Sequence, residues 1–481
     1  MAKYKLRVGY IGTSISSYFA GEYRQRERAI DGLEKLAHDL DFELIAVHDE
    51  VMTEEGSARA AEYLRDNEVD FLLIQTAACS MGEQLLPLVK AAPRLGIWAT
   101  PDPEQEGEIK IHSVVSMSHF AAILKRYLKH EEIPFKWFYG HVETDDFQKR
   151  FSVTVRALTA VKNMERARIG WIGNLSPGFN DMIFDERLLR SRMGISVLPH
   201  ELAELVTRAK AYDPEPVSAT VNQIKAAATE IRVTENSAFD RVTRLYLAMR
   251  DMASEYNYDA LAVQCWPNFQ SYFKVAPCMA YSWLGSEDGI AVSCEGDVLG
   301  AASMYLLNVL TGKKGSSTLL DMTALDPETN AMLMWHCGVS PRHFANDDGI
   351  KWVDHVTLGR KGDDGPYGVA GDQVFAAQET TVSYIGDDGS SLLVIRSDII
   401  EHAKKGFDGT RGWFSHFELN KKPVSLMDLI NTLTVRGHEH HFAVGQGDVT
   451  DELMEFAAWK KMRLIEHIPQ ANYVQIEGVN V

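Results

Sequence analysis

The chain is short of several things, and each shortage removes a class of reading. Its 481 residues include only five cysteines, Cys79, Cys265, Cys278, Cys294 and Cys337, odd in number and never spaced C-x-x-C. That argues against a disulfide framework or a structural zinc site and predicts reduced, mostly buried thiols. Positive charge is scarce too. Against 67 Asp and Glu stand 49 Lys and Arg, a net charge of −18, and no stretch gathers enough basic residues to reverse it locally. Such a surface repels phosphate backbones and anionic lipid, so nucleic acid is not an expected partner. No apolar run approaches the roughly 18 residues that span a bilayer. The opening segment 1–12 reads as a strand and not as a signal peptide, so a cytoplasmic protein without a membrane partner is expected.

Familiar catalytic motifs are also missing. There is no GxxxxGK[ST] phosphate loop and no GxSxG elbow, and Gly9-Tyr10-Ile11-Gly12-Thr13 lacks the spacing of a dinucleotide site. Cys294 adjoins Glu295 and Cys337 adjoins His336. Nothing at a recognisable spacing would activate either as a nucleophile.

What is present is an ordinary globular composition, 45% hydrophobic and 24% charged. At roughly 150 residues per domain, the length accommodates two to four domains. Apolar runs at 6–12, 42–47, 69–75 and 96–99 alternate with amphipathic stretches. A helix over 22–40 would place Ile30, Leu33, Ala37 and Leu40 on one face, and 57–65 reads similarly. This alternation predicts parallel strands joined by crossover helices, an open Rossmann-like α/β domain over 1–163. The strand Arg-Ile-Gly-Trp-Ile-Gly at 168–173 echoes Arg-Val-Gly-Tyr-Ile-Gly at 7–12 and opens a second α/β domain over 164–315. That domain continues through a helical region over 214–256, strands at 260–264 and 290–293, and a helix over 297–310. From 316 the texture turns to β-rich segments broken by Gly and Asp, as at 361–365 and 386–389. A mainly antiparallel third domain is therefore predicted over 316–481, with a helix at 452–462 and a terminal strand.

Chemistry is expected where strands end. Ser293-Cys294-Glu295-Gly296-Asp297 lies where a buried strand hands over to a helix, and ligands of α/β sheets bind at the carboxyl ends of strands. Asp297 reads as the helix cap, whereas Glu295 is not in capping position and is free for a cation. Asp321 closes the apolar run Leu319-Leu320, 26 residues later. Two carboxylates meeting in one crevice need a cation or a shared proton. Gly437-His438-Glu439-His440-His441 is the densest histidine cluster, and imidazole is a leading ligand for transition metals. His336, beside Cys337 and Gly338, could be a substrate donor, an added ligand or a core histidine. Gln264 and Trp266 combine an amide with a flat indole, which suits a polyol.

Together, Ala291-Val292-Ser293-Cys294-Glu295-Gly296-Asp297-Val298-Leu299-Gly300-Ala301, Leu320-Asp321, Trp335-His336-Cys337-Gly338 and His440-His441 before Ala443 resemble the L-fucose/L-arabinose isomerase superfamily. The L-fucose isomerase-like branch is the closer match, and Gln264-Cys265-Trp266-Pro267 and Ala276-Pro277-Cys278 fit it as well. The resemblance implies an enzyme, a ketol isomerase, with Mn2+ or another divalent cation held by Glu295, Asp321 and His441. His441 is taken over His440 because the family's ligand leads into an apolar strand, as Phe442-Ala443-Val444 does here. His336 matches a histidine that ligates the metal in the arabinose branch.

By the same resemblance, Glu295 and Asp321 act as base and acid in moving a proton between C1 and C2 of an open-chain sugar through a cis-enediol. A homo-oligomer is implied, a hexamer or similar. The expected substrate is a 6-deoxyhexose or pentose of the L-fucose or D-arabinose type. One alternative is sulfoquinovose, whose sulfonate requires a cationic clamp against the overall negative charge; Arg24, Arg26, Arg411 and Arg436 are the candidates. A second alternative is a non-catalytic sugar-binding protein of the same fold. Expected substrate contacts are Gln264, Trp266, His336, His440, Arg24, Arg26 and Trp413.

Overall fold

A computed structural model describes residues 2–359 and 365–476. Of the turn expected at 361–365, positions 361–364 lie outside the described residues. Two compact units emerge, one over Lys3–Lys162 and one from Asn163 onward.

The first unit is built on a parallel sheet in the order β2-β1-β3-β4-β5, from β1 (Arg7–Thr13), β2 (Glu43–Ala46), β3 (Phe71–Thr76), β4 (Leu95–Ala99) and β5 (Phe135–Tyr139). Both central strands β3 and β4 are buried along their whole length, the signature of a sheet covered on two faces. Edge strand β5 has no counterpart among the sequence expectations. Its Phe-Lys-Trp-Phe-Tyr alternation leaves Trp137 and Tyr139 exposed and never forms an apolar run. The expected helix over 22–40 begins only at Gln25. Arg24 before it is left-handed at φ 49°, so the helix cannot extend back to Glu22.

In the second unit a parallel sheet runs β10-β9-β6-β7, with β6 (Arg168–Ile172), β7 (Ser196–His200), β9 (Ala260–Val263) and β10 (Ala291–Ser293). The helical region expected over 214–256 is two helices, Pro214–Ala226 and Ala238–Glu255. Between them β8 (Glu230–Arg232) pairs with a strand of the third sheet, which ends the first helix.

That third sheet is mixed. Its strands are β11 (Ser317–Asp326), β12 (Ala331–His336), β13 (Lys351–Asp354), β14 (Gly368–Val374), β15 (Gln378–Ile385), β16 (Ser391–Ile400), β17 (Thr410–Leu419), β18 (Lys422–Pro423), β19 (His441–Gln446) and β20 (Arg463–Leu464). The antiparallel run β16-β15-β19-β11-β12-β17 closes on itself, because β16 also pairs with β17. Parallel pairings occur at β8–β13, β14–β17 and β16–β20. The helix Val298–Thr311 is buried on every side and packs against β10 and β9 of one sheet and β19, β15 and β11 of the other. Its N-terminus is thereby held where the two sheets meet.

Candidate metal centre and substrate pocket

Three segments far apart in sequence converge there. Glu295 follows β10 in a left-handed conformation at φ 61°, and Gly296 continues at φ 79°. A Cβ on Gly296 would stand 2.1 Å from the Asn174 carbonyl oxygen, so the close approach of the two chains requires glycine. The turn is tied down by Gly296 N–H to the Val263 carbonyl at 3.1 Å, Ser176 N–H to the Glu295 carbonyl at 2.9 Å and the Trp171 indole N–H to the Gly296 carbonyl at 2.9 Å. Asp321 lies within β11, where burial gives way to exposure, and not at a strand end as expected. His441 opens β19 directly opposite Asp321 in the antiparallel register. Sheet pairing therefore brings one acid to the imidazole, and the left-handed turn brings the other.

His441 Nε2 lies 3.5 Å from Glu295 Oε2 and 3.5 Å from Asp321 Oδ1. The imidazole orientation is set from behind. His441 Nδ1 is 2.9 Å from Asp297 Oδ2, and Asp297 is fully buried. The other Asp297 oxygen accepts the Tyr384 hydroxyl and the Gly300 N–H, each at 2.8 Å. A carboxylate with these donors accepts from Nδ1–H as well, which leaves the Nε2 lone pair facing Glu295 and Asp321. Asp297 is thus the expected helix cap and also the group that orients His441, a role its capping position hides in the sequence.

Neither His441 Nε2 nor Asp321 Oδ1 has a hydrogen-bond partner, although both atoms are buried. Electron-rich atoms bonded to one ion at about 2.1 Å, 90–110° apart, stand roughly 3.0–3.5 Å from each other. Ligand atoms of Glu295, His336 and His441 lie within 4.8 Å of one another, as do those of Asp321, His440 and His441, so His441 is shared by two groups whose donor chemistry suits a divalent cation. Burial raises the proton affinity of Asp321, opposed by the nearby histidines. Without a cation, the same acids draw protons onto their neighbours: burial opposes charging of His440, yet hydrogen bonds to Glu295 and Asp181 raise it to about 9.

His336 ends β12 with its ring 5.6 Å from that of His441, and its ligand atom groups with those of Glu295 and His441. The backbone N–H of Cys337 donates to His336 Nδ1 at 2.8 Å. A neutral His336 therefore carries its hydrogen on Nε2, which is buried and unpartnered, so it presents a donor and not a ligand lone pair.

His440 spans two carboxylates, with Nδ1 2.6 Å from Asp181 Oδ2 and Nε2 3.3 Å from Glu295 Oε2, and it stacks on Phe179. Trp266 meets Phe179 edge-on, so the indole and His440 are linked through a ring that sequence reasoning did not single out. Asp181 was missed as well, and no motif marks either residue. Gln264 is committed to bracing the pocket: its amide donates to the Leu175 carbonyl at 3.1 Å and accepts from Asn268 at 2.6 Å.

The remaining expected contacts fall elsewhere. Trp413 packs with Ala331 and Leu333, stacks on His402 and donates its indole N–H to the Lys404 carbonyl. It is a core residue because its position on β17 faces Leu333 across the sheet. Arg411 is buried against Asp372 and also donates to the Gly409 and Lys405 carbonyls, so its charge is already matched. Arg436 lines a separate cavity of about 480 Å³ with Asp181, Tyr384, His438 and Glu439. In the first unit, Arg26 pairs with Glu27, while Arg24 makes no ion pair among the described residues and lines a cavity of about 440 Å³ whose charged residues are of both signs, Arg28 and Lys35 with Asp31, Asp39 and Glu143.

Among curated proteins the chain is similar to a sulfoquinovose isomerase of Priestia megaterium, 26% identical over 404 residues that cover 82% of this chain and 84% of that one. A sulfoquinovose isomerase of Alkalicoccus urumqiensis is 27% identical over 77% of this chain and 80% of its own length. One from a Clostridium species is 26% identical over 75% and 78%. No family model matches the chain. Among solved structures, an ABC transporter solute binding protein of Burkholderia multivorans, 14% identical, covers 64% of this chain and 95% of that one at a TM-score of 0.16, too low to bear on the fold. No helix among the described residues is long and apolar enough to cross a membrane.

Proposed function

We propose that the chain, an isomerase of carbohydrate metabolism by its similarity to these relatives, is a metal-dependent aldose–ketose isomerase whose substrate is sulfoquinovose. The expectation of a 6-deoxyhexose or pentose gives way to the sulfonated hexose because every relative named above carries that substrate in its name. Similarity to enzymes also leaves the non-catalytic reading without support.

The observation that carries the catalytic reading is the convergence of Glu295 and Asp321 on a His441 nitrogen whose lone pair is aimed by Asp297. A bound divalent cation, for which Mn2+ is our choice, would polarise the sugar's O1 and O2 and stabilise the charge that develops on them. The chain's own residues do the rest. Glu295, oriented by the His440 N–H, takes the proton from the carbon next to the carbonyl, and Asp321 handles the proton on oxygen. His336 Nε2–H is positioned to donate to a sugar oxygen. Trp266 and Phe179 offer faces for the C–H groups of the chain. Against the overall negative charge the sulfonate needs a local cation.

The test is turnover of Mn2+-loaded protein in deuterated water with sulfoquinovose, L-fucose and D-arabinose in parallel. The proposal expects isomerisation of sulfoquinovose with deuterium entering at C1 or C2, at a higher kcat/KM than for the uncharged sugars. Preference for L-fucose would return the substrate to the 6-deoxyhexose class. Turnover with complete retention of the original hydrogen would replace proton transfer by a hydride shift.

A further inference from the structure

Several cysteines that the proposed isomerisation leaves unused are gathered in one place. Cys278 and Cys337, 59 residues apart, have their sulfurs 3.9 Å from each other. Cys278 opens the helix Cys278–Trp283 and is buried, whereas Cys337 follows β12 and is partly exposed. A disulfide bond is about 2.05 Å long, so the sulfurs have roughly 1.9 Å to close. A nitrogen of His355 lies within 4.8 Å of both sulfurs. His355 Nδ1 accepts the backbone N–H groups of Thr357 and Leu358, so in the neutral ring the hydrogen sits on Nε2, as a donor that can stabilise a thiolate. Hydrogen bonds from Cys278 and Cys294 favour the Cys337 thiolate, against the opposing effect of burial.

We propose that Cys278 and Cys337 form a dithiol modification site, at which a peroxide oxidises Cys337 and Cys278 resolves it into an intramolecular disulfide that slows the isomerase. The Cys337 thiolate attacks one peroxide oxygen, the O–O bond breaks, and hydroxide leaves and takes up a proton as the first water. Cys278 then attacks the sulfenic sulfur, the S–O bond breaks, and the second water leaves with the Cys278 proton. Two thiols and one hydrogen peroxide thus become one disulfide and two waters. The effect on the site runs through His336. The Cys337 sulfur lies 3.1 Å from His336 Nδ1, and drawing it toward Cys278 removes that contact and loosens a ring with a nitrogen within 4.8 Å of ligand atoms of Glu295 and His441.

The reduced full-length protein, treated with graded hydrogen peroxide, should lose two of its five titratable thiols and about 2 Da of mass. Peptide mapping should show Cys278 joined to Cys337. Isomerase activity should fall at least ~5-fold and return with dithiothreitol. The Cys278→Ser variant should keep the reduced protein's activity and accumulate a dimedone-reactive sulfenic acid on Cys337 instead of the disulfide. Five thiols remaining after peroxide, a linkage between any other pair, or a mapped Cys278–Cys337 disulfide with an unchanged rate would each overturn the proposal. The thiol count and the linked peptide need no assay of isomerisation, so they stand or fall independently of the proposed substrate.

Discussion

At the scale of single residues, the account turns on which nitrogen of His441 carries a hydrogen. Asp297 fixes it by accepting from Nδ1. In Asp297→Asn the amide oxygen can still cap Gly300 N–H and receive the Tyr384 hydroxyl, but the NH2 would donate to Nδ1 and push the ring hydrogen onto Nε2. We expect Mn2+ affinity, measured by titration calorimetry, to fall ~10–100-fold while the circular dichroism spectrum is retained. An unchanged affinity would mean that Asp297 is a cap alone. Glu295, Asp321 and the histidine cluster were legible in sequence because each interrupts or adjoins an apolar run. Asp181, Phe179 and the orienting function of Asp297 were not, since they arise from contacts across 259, 261 and 144 positions that no local pattern records.

At the scale of elements, the turn after β10 is the most constrained piece of backbone at the site. Gly296→Ala would add strain at positive φ and drive a methyl into the Asn174 carbonyl. We expect a loss of about 2–4 kcal/mol in chemical denaturation and a drop in Mn2+ affinity, because Glu295 moves with the turn. The segment before β19 carries a second signal. Burial lowers His438 to about 4, below its ordinary 6.5, so the folded state resists protonating it. Its contribution to stability is full above pH 6.5 and is lost as pH falls toward 4, about 3 kcal/mol over that window. His438→Asn keeps a donor for the Glu439 carbonyl and removes the titration. The stability difference between wild type and this variant should therefore shift against wild type by about that amount between pH 7 and pH 4 in denaturant melts. A constant difference would remove His438 as the cause. Elements with strong apolar runs, such as β1, β3 and the helix Val298–Thr311, were legible in the sequence within a few residues of their ends. β8 and β5 were hidden. One is a three-residue strand recruited by a distant partner, and the other is an edge whose aromatic residues alternate with exposure.

At the scale of the whole molecule, a net charge of −18 disfavours an anionic sugar everywhere except at a local cation. Such a cation would show in the salt dependence: raising ionic strength should raise KM for sulfoquinovose ~3-fold or more and leave KM for an uncharged aldose within about 2-fold. Equal effects on both sugars would dismiss a sulfonate clamp. The layered build of the second unit was readable as a change of texture along the chain. The closure of the antiparallel run through β16 and β17 was not, because ring closure depends on register and not on composition. The central claim is that two carboxylates and one imidazole hold a single catalytic ion. It is tested most directly by calorimetric titration of chelator-stripped protein with Mn2+, wild type beside Glu295→Gln. The account predicts one ion per chain for wild type and at least ~10-fold weaker binding in the variant; equal stoichiometry and affinity in both would contradict it.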